Sequence, residues 1–204
     1  FQAEGGGIRN CTAINGYFSS NFSGGNFLWE DLTAVIDLNK GPTRDWTQSN
    51  GAVFNINVNI GAGADTPGVI AAGCRIVRPY IEVTQRVSDG LVRNGIAINN
   101  GAVNVRVTGT HPAKPGKGVI KFNKSVAPLS AEYFGIRADN PAVVEGIRVI
   151  NGGSGEAQTS NIHGHIGPNS SYKNNVTDSI WAINTATSTW YNIQDTNGNI
   201  TNAE

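Results

Sequence analysis

Two short stretches in the first quarter of the chain put carboxylates beside an indole. In "LWEDL", Glu30 and Asp31 follow Trp29; in "TRDWTQ", Asp45 lies between Arg44 and Trp46. A sugar-cleaving site needs this combination. One carboxyl protonates the glycosidic oxygen, a second activates water or attacks, and an aromatic face stacks on the pyranose ring. Glu30, Asp31 and Asp45 are therefore the candidate acid and base, with Trp29 and Trp46 as platforms and Arg44 as a further contact. The plainer alternative makes Trp29 a core residue and Glu30 and Asp31 solvated turn residues. A second cluster lies in "RPYIEVTQRVSDGLVRNG". On a strand, Tyr80, Glu82 and Thr84 share one face, opposite Ile81 and Val83. Such a ridge suits contact with a glycan, or equally an ordinary salt-bridged solvent face.

Other chemistries have little support. No Gly-rich phosphate loop with a following Lys occurs, and no Gly-x-Ser-x-Gly elbow. The three histidines are His111, His163 and His165. "NIHGHIG" would set two of them on one face of a strand, but no further Cys or His stands nearby to complete a metal site. No metal and no cofactor is expected.

The elements that hold these residues are strands. The 204-residue chain has 26 Gly, a similar number of Asn, and only 15% charged residues, with 15 basic balancing 15 acidic. Amides and hydroxyls make its surface polar, tight turns are frequent, and Val, Ile and Thr favour β-structure. Balanced charge gives no pull towards nucleic acid, and no apolar run has bilayer-spanning length. With no Met and a start in mid-pattern, the chain reads as a fragment or processed product of something longer, without a signal peptide. Cys11 and Cys74 make no disulfide framework and are expected as reduced core residues.

"GIAINNGAVNVRVTG" from Gly95 is echoed by "GIRADNPAVVEGIRVING" from Gly135 and "SIWAINTATSTWYNIQD" from Ser179. Gly7, Gly51, Gly73 and Gly95 extend the series, with a step of roughly 22 residues and about nine rungs. A rung of that length suits three short strands and three turns, with alternate residues stacking into a dry core. Ile96, Ile98, Val103, Val105 and Val107 form one such set. The fold class expected is all-β, a right-handed parallel β-helix, with a sandwich or jelly roll as the alternative. Residues 1–170 would be the body. Residues 171–204, rich in aromatics and amides, would cap it or contact sister chains. "THPAKPGKG" (110–118) reads as an excursion from the repeat, not a linker.

The motifs "GIRNCTAINGYF", "GVIAAGCRIVRPYIEVTQRVSDGLVRNGIAINNGAVNVRVTG" and "GIRADNPAVVEGIRVING" resemble the β-helical body of bacteriophage tailspikes over about two thirds of the chain. The resemblance lies in Gly-Ile starts, Asn turns and Val-x-Val strands. It implies a pectate-lyase-like homotrimer on the virion, outside the host cell, that binds and hydrolyses bacterial O-antigen or capsule. Its partners would be that polysaccharide and two sister chains. Neither nucleic acid nor membrane insertion is implied. Tailspikes share no fixed catalytic motif, so no catalytic residue carries over. Polygalacturonases would bring Asn-Thr-Asp, paired Asp, Gly-His-Gly and Arg-Ile-Lys, and pectate lyases calcium-binding Asp clusters; the chain has neither set. The alternatives are a non-catalytic receptor-binding fibre tip or adhesin, and a secreted microbial β-helix enzyme.

Overall fold

A computed structural model describes residues 6–14, 18–21, 27–37, 52–57, 71–85, 94–98, 102–109, 118–124, 133–138, 141–151, 162–166, 169–177, 188–194 and 200–203. These residues are all-β, with no helix among them. The chain makes successive passes. The first lays down β1 (Gly6–Arg9), β2 (Thr12–Ile14) and β3 (Phe18–Asn21), and the second β4 (Phe27–Glu30), β5 (Thr33–Asp37) and β6 (Ala52–Asn57). The third adds β7 (Ala71–Ala72), β8 (Arg75–Val77), β9 (Tyr80–Gln85) and β10 (Asn94–Ile98). The fourth repeats that plan in β11 (Ala102–Val103), β12 (Val105–Thr108), β13 (Val119–Lys124) and β14 (Tyr133–Ala138). The fifth gives β15 (Ala142–Glu145), β16 (Arg148–Asn151) and β17 (Ile162–Ile166). Then come β18 (Ser171–Lys173), β19 (Val176–Thr177), β20 (Thr189–Gln194) and β21 (Ile200–Ala203).

Three long ladders result, beside a short parallel pairing of β7 with β11. The first is β1-β4-β8-β12-β15-β18-β20, the second β2-β5-β9-β13-β16-β19-β20, and the third β3-β6-β10-β14-β17. The first two meet in β20, whose Thr189–Tyr191 pairs with β18 and whose Gln194 pairs with Val176 of β19. Within the ladders every pairing is parallel; only β21, lying antiparallel on β20, breaks the rule. The ladders run on to residue 194.

Alternation decides which side chains face inward. Val105 and Val107 of β12 are buried while Arg106 is exposed, and Ala142 and Val144 of β15 follow suit. In register they form columns: Trp29, Ile76, Val107, Val144 and Tyr172 in the first ladder, and Ala34, Ile81, Ile120 and Val149 in the second. Ile96 aligns with Ile136 in the third. Each buried Ile or Val contributes about 1.5–3 kcal/mol relative to exposure. Of the predicted core set, Ile96, Ile98, Val105 and Val107 are fully buried, and the side chain of Val103 lies outside the described residues. Cys74 is buried, Cys11 packs half-buried against the core, and neither forms a disulfide.

The regular 22-residue step does not hold. Gly6 pairs with Phe27, Leu28 with Arg75, Arg75 with Arg106, Val105 with Ala142, Val143 with Ser171 and Ser171 with Thr189, so passes run from 18 to 47 residues. Among the described residues the first ladder has seven strands, not nine rungs. The Gly95–Gly135 echo is in register. The ends of those two segments, "VNVRVTG" and "GIRVING", are not: Val105–Thr108 belongs to the first ladder and Arg148–Asn151 to the second. Packing fixes strand register and leaves the length of the connections open.

What does repeat is the corner between the first and second ladders, which takes two residues. The first adopts the left-handed conformation at Asn10, Asp31, Arg78, Gly146 and Asn174. Its N–H donates to the preceding strand end of the next pass, as in Asn10 to Glu30, Asp31 to Val77 and Arg78 to Thr108. The second corner residue turns inward: Cys11, Leu32, Pro79, Ile147 and Asn175. Asn175 is fully buried, its Oδ1 accepting from the Ile147 N–H (2.8 Å) and its Nδ2 donating to the Val144 carbonyl (3.0 Å). That amide is thus committed to the backbone although Asn175 opens an Asn-Val-Thr sequon.

On the fourth pass the two corner residues are Gly109 and Gly118, and residues 110–117 are inserted between them. Gly109 donates to Glu145 as a first corner residue does, while Gly118 donates to Pro79 and its carbonyl accepts from Arg148. A Cβ on Gly109 would run into the Gly146 carbonyl oxygen and lie 3.1 Å from Gly118 Cα. One on Gly118, whose φ is 76°, would fall on Gly109 Cα. Gly109 and Gly118, which flank the excursion expected at 110–118, thus lie together at a corner; residues 110–117 are outside the described residues.

Candidate functional site

The first candidate set sits on the first corner. Asp31 and Arg78 occupy equivalent left-handed positions on neighbouring passes, so their side chains leave the same edge one strand apart. Arg78 donates from Nε to Asp31 Oδ1 (2.9 Å) and from Nη2 to Asp31 Oδ2 (2.9 Å) and Glu30 Oε1 (2.7 Å). Arg9, the register partner of Glu30, binds its other oxygen, Oε2, at 3.0 Å. Asp31 is 7% exposed, Arg78 14% and Glu30 24%. The Asp31 hydrogen bonds, supported by Glu30, raise the guanidinium pKa despite partial burial.

This arrangement is an ion-pair clamp. Arg78 Nη2 lies between the Glu30 and Asp31 carboxylates, where a glycosidic oxygen would have to be. A general acid must carry a proton, whereas two hydrogen bonds from a cation favour the ionised form of Asp31. Trp29 is 3% exposed in the core column between Ile8 and Ile76, so it presents no face to a sugar. Its expected role as a stacking platform is corrected to a packing one, because alternation on β4 turns it inward. Arg44, Asp45 and Trp46 lie outside the described residues.

The second candidate set is a connected surface network. Tyr80 and Glu82 leave the same face of β9, as alternation predicts, with the Tyr80 hydroxyl donating to Glu82 Oε2 at 2.7 Å. The neighbouring strand β13 brings Lys121 into register with Glu82 and Asn123 with Thr84. Lys121 Nζ and Asn123 Nδ2 both donate to Glu82 Oε1, at 3.1 and 2.6 Å, and Asn123 Nδ2 also lies 3.4 Å from Thr84 Oγ1. Sequence reading missed Lys121 and Asn123; only register joins residues this far apart in the chain. Asn123 Oδ1 is buried and accepts no hydrogen bond from the described residues. All four principal side chains are half-exposed, fixed to rigid strands and open to solvent on one side.

The electrostatics follow from the contacts. The Tyr80 hydrogen bond, with Asn123 and Lys121, holds the Glu82 carboxyl below its ordinary range against the opposing effect of burial. Donation to Glu82, with burial, pushes Tyr80 up to about 12. Glu82 is thus an ionised acceptor at neutral pH, suited to orienting donors and unsuited to general-acid work. In Glu82→Gln, ultraviolet titration should show one phenol moving down from about 12 towards the usual 10. An unchanged phenol profile would mean that the Tyr80–Glu82 bond is not made. Because the folded pKa of Glu82 is depressed, its contribution to stability is present above 4.5 and is lost as pH falls through the folded value. The stability gap between parent and Glu82→Gln should close in that acid range.

His163 and His165 occupy positions on β17 in register with Phe134 and Ile136. No group of three potential metal ligands occurs among the described residues, and no helix among them is long and apolar enough to cross a membrane. Fold and site define a class: an all-β chain of parallel ladders bearing a charged corner clamp and an outward polar network. No protein-family model, curated protein or solved structure matches the chain.

Proposed function

We propose that the chain is a right-handed parallel β-helix of a tailspike-like protein, and that it binds bacterial surface polysaccharide through the outward face at Tyr80, Glu82, Lys121 and Asn123. The β-helix reading is supported by the same ladder order on each pass and by parallel registers; connections between parallel strands are right-handed in about 98% of cases. The binding reading rests on one observation, the Tyr80–Glu82–Lys121–Asn123 network. Hydroxyl, carboxylate, ammonium and amide groups are set there on neighbouring strands, which suits the donors and acceptors of sugar hydroxyls.

Hydrolysis is not assigned to Glu30 and Asp31, since Arg78 and Arg9 already occupy their oxygens. The reading is accordingly a binding protein of the virion, assembled as a homotrimer. The test is a panel of purified O-antigens and capsules. At least one should bind, and Tyr80→Phe combined with Asn123→Ala should weaken it about tenfold or more in protein that is still folded at the assay temperature, the melting temperature falling only modestly as the bonds to Glu82 are lost. Absence of binding across the panel would sink the proposal. Release of reducing ends would restore the hydrolase reading, and Glu30→Gln would show whether Glu30 takes part. A sedimentation mass of one chain would refute the trimer.

A further inference from the structure

Arg75 and Arg106 stand directly opposite each other on the neighbouring strands β8 and β12. Both are exposed, between the inward residues Cys74 and Ile76 on one strand and Val105 and Val107 on the other. Parallel neighbours lie about 4.8 Å apart, and like charges directly opposite on a sheet oppose folding. Arg9, Arg78 and Lys121 each have a carboxylate partner. Arg75 and Arg106 have none among the described residues. Leu28 and Val143, which continue their column, are uncharged; the adjacent column runs Glu30, Val77, Thr108, Glu145, so the nearest carboxylates stand diagonally, and the Glu30 oxygens are held by Arg9 and Arg78. In a chain with so few charges, two cations share one face of the sheet, with no counter-charge directly opposite either and no ion pair to either among the described residues.

We infer that Arg75 and Arg106 bind an anionic group carried by the polysaccharide, a sugar carboxylate or a phosphodiester, so that the ligand is an acidic glycan. The inference rests on the polysaccharide reading above and adds the class of ligand. A guanidinium fork matches a carboxylate or phosphate in geometry and charge, and two in register can clamp one anion or take two successive ones. The half-buried Leu28 and Val143 flank the pair and offer apolar contact to the C–H face of a sugar ring.

The test is affinity electrophoresis of the full chain in gels containing polygalacturonate, poly(glycerol phosphate), neutral dextran or single-stranded DNA, at low and raised salt. One of the two acidic polymers should retard the protein more strongly than dextran, and salt should weaken that retardation. Which of them does so identifies the anion. Arg75→Ala and Arg106→Ala should each weaken it about tenfold, without lowering the melting temperature. Arg75→Lys/Arg106→Lys, which keeps charge and loses the fork, should fall between parent and double alanine variant. Equal binding of acidic polymers by parent and double alanine variant would overturn the inference, as would preference for dextran or for DNA. If the Tyr80 and Asn123 variants abolish binding while the arginine variants do not, the anion site fails and the glycan reading stands. If neither these polymers nor the O-antigen and capsule panel bind, both fail.

Discussion

Arg78→Ala is expected to destabilise the protein by about 3 kcal/mol, the low end for removing one member of a buried ion pair. The loss leaves Asp31, 7% exposed, with its main cationic partner gone, and frees one oxygen of Glu30. Urea unfolding should show a shifted midpoint with little change in slope. Backbone conformation gives a second readout. Arg78 has φ 52°, a region that costs a side-chain-bearing residue about 1–2 kcal/mol and glycine little. Arg78→Gly should therefore be milder than Arg78→Ala, although both remove the guanidinium. A double-mutant cycle with Asp31→Asn should return a coupling above about 1 kcal/mol. A loss below that level for Arg78→Ala would mean that solvent screens the clamp and that Glu30 and Asp31 could be available for other work.

Gly109→Ala should be at least as damaging, at about 3 kcal/mol or more, because the new methyl meets the Gly146 backbone oxygen and not a movable side chain. Gly118→Ala adds the penalty of positive φ to a similar collision. Deleting residues 110–117 and joining Gly109 to Gly118 should, by contrast, preserve the fold. The two backbones already approach to about the span of one peptide unit, and the joined pair would restore a two-residue corner like Asp31–Leu32. Melting temperatures of the three variants make the check. If the deletion unfolds the protein while Gly109→Ala is tolerated, the corner assignment is wrong.

Much of this architecture was legible in the sequence because alternation is a local signal. The inward positions of Ile96, Ile98, Val105 and Val107, and the shared face of Tyr80 and Glu82, follow from strand geometry alone. The period was not legible. Glycine spacing records turns, whereas register is set by columns such as Ile76–Val107–Val144, with connections of any length between them. Asn at the corners could be anticipated, since its amide tolerates the left-handed region. Arg78 in that conformation could not, since arginine has no such preference. Its partners Glu30 and Asp31 lie 48 and 47 residues away, so the carboxylates that read as catalytic gave no local sign of being engaged. Lys121 and Asn123 were hidden for the same reason, 39 and 41 residues from Glu82.

The antiparallel strand β21 has a consequence for assembly. A stack of parallel strands is a template for its own extension, because each edge offers the hydrogen-bonding pattern the next strand requires. At β20 that pattern is taken up by a strand running the other way, with a register shift between Trp190 and Ile193 that bends the pair. An incoming segment would meet a different spacing of donors and acceptors and a kinked edge. In polymer terms, β21 is a chain stopper at β20: the strand laid there runs the wrong way to template another parallel one.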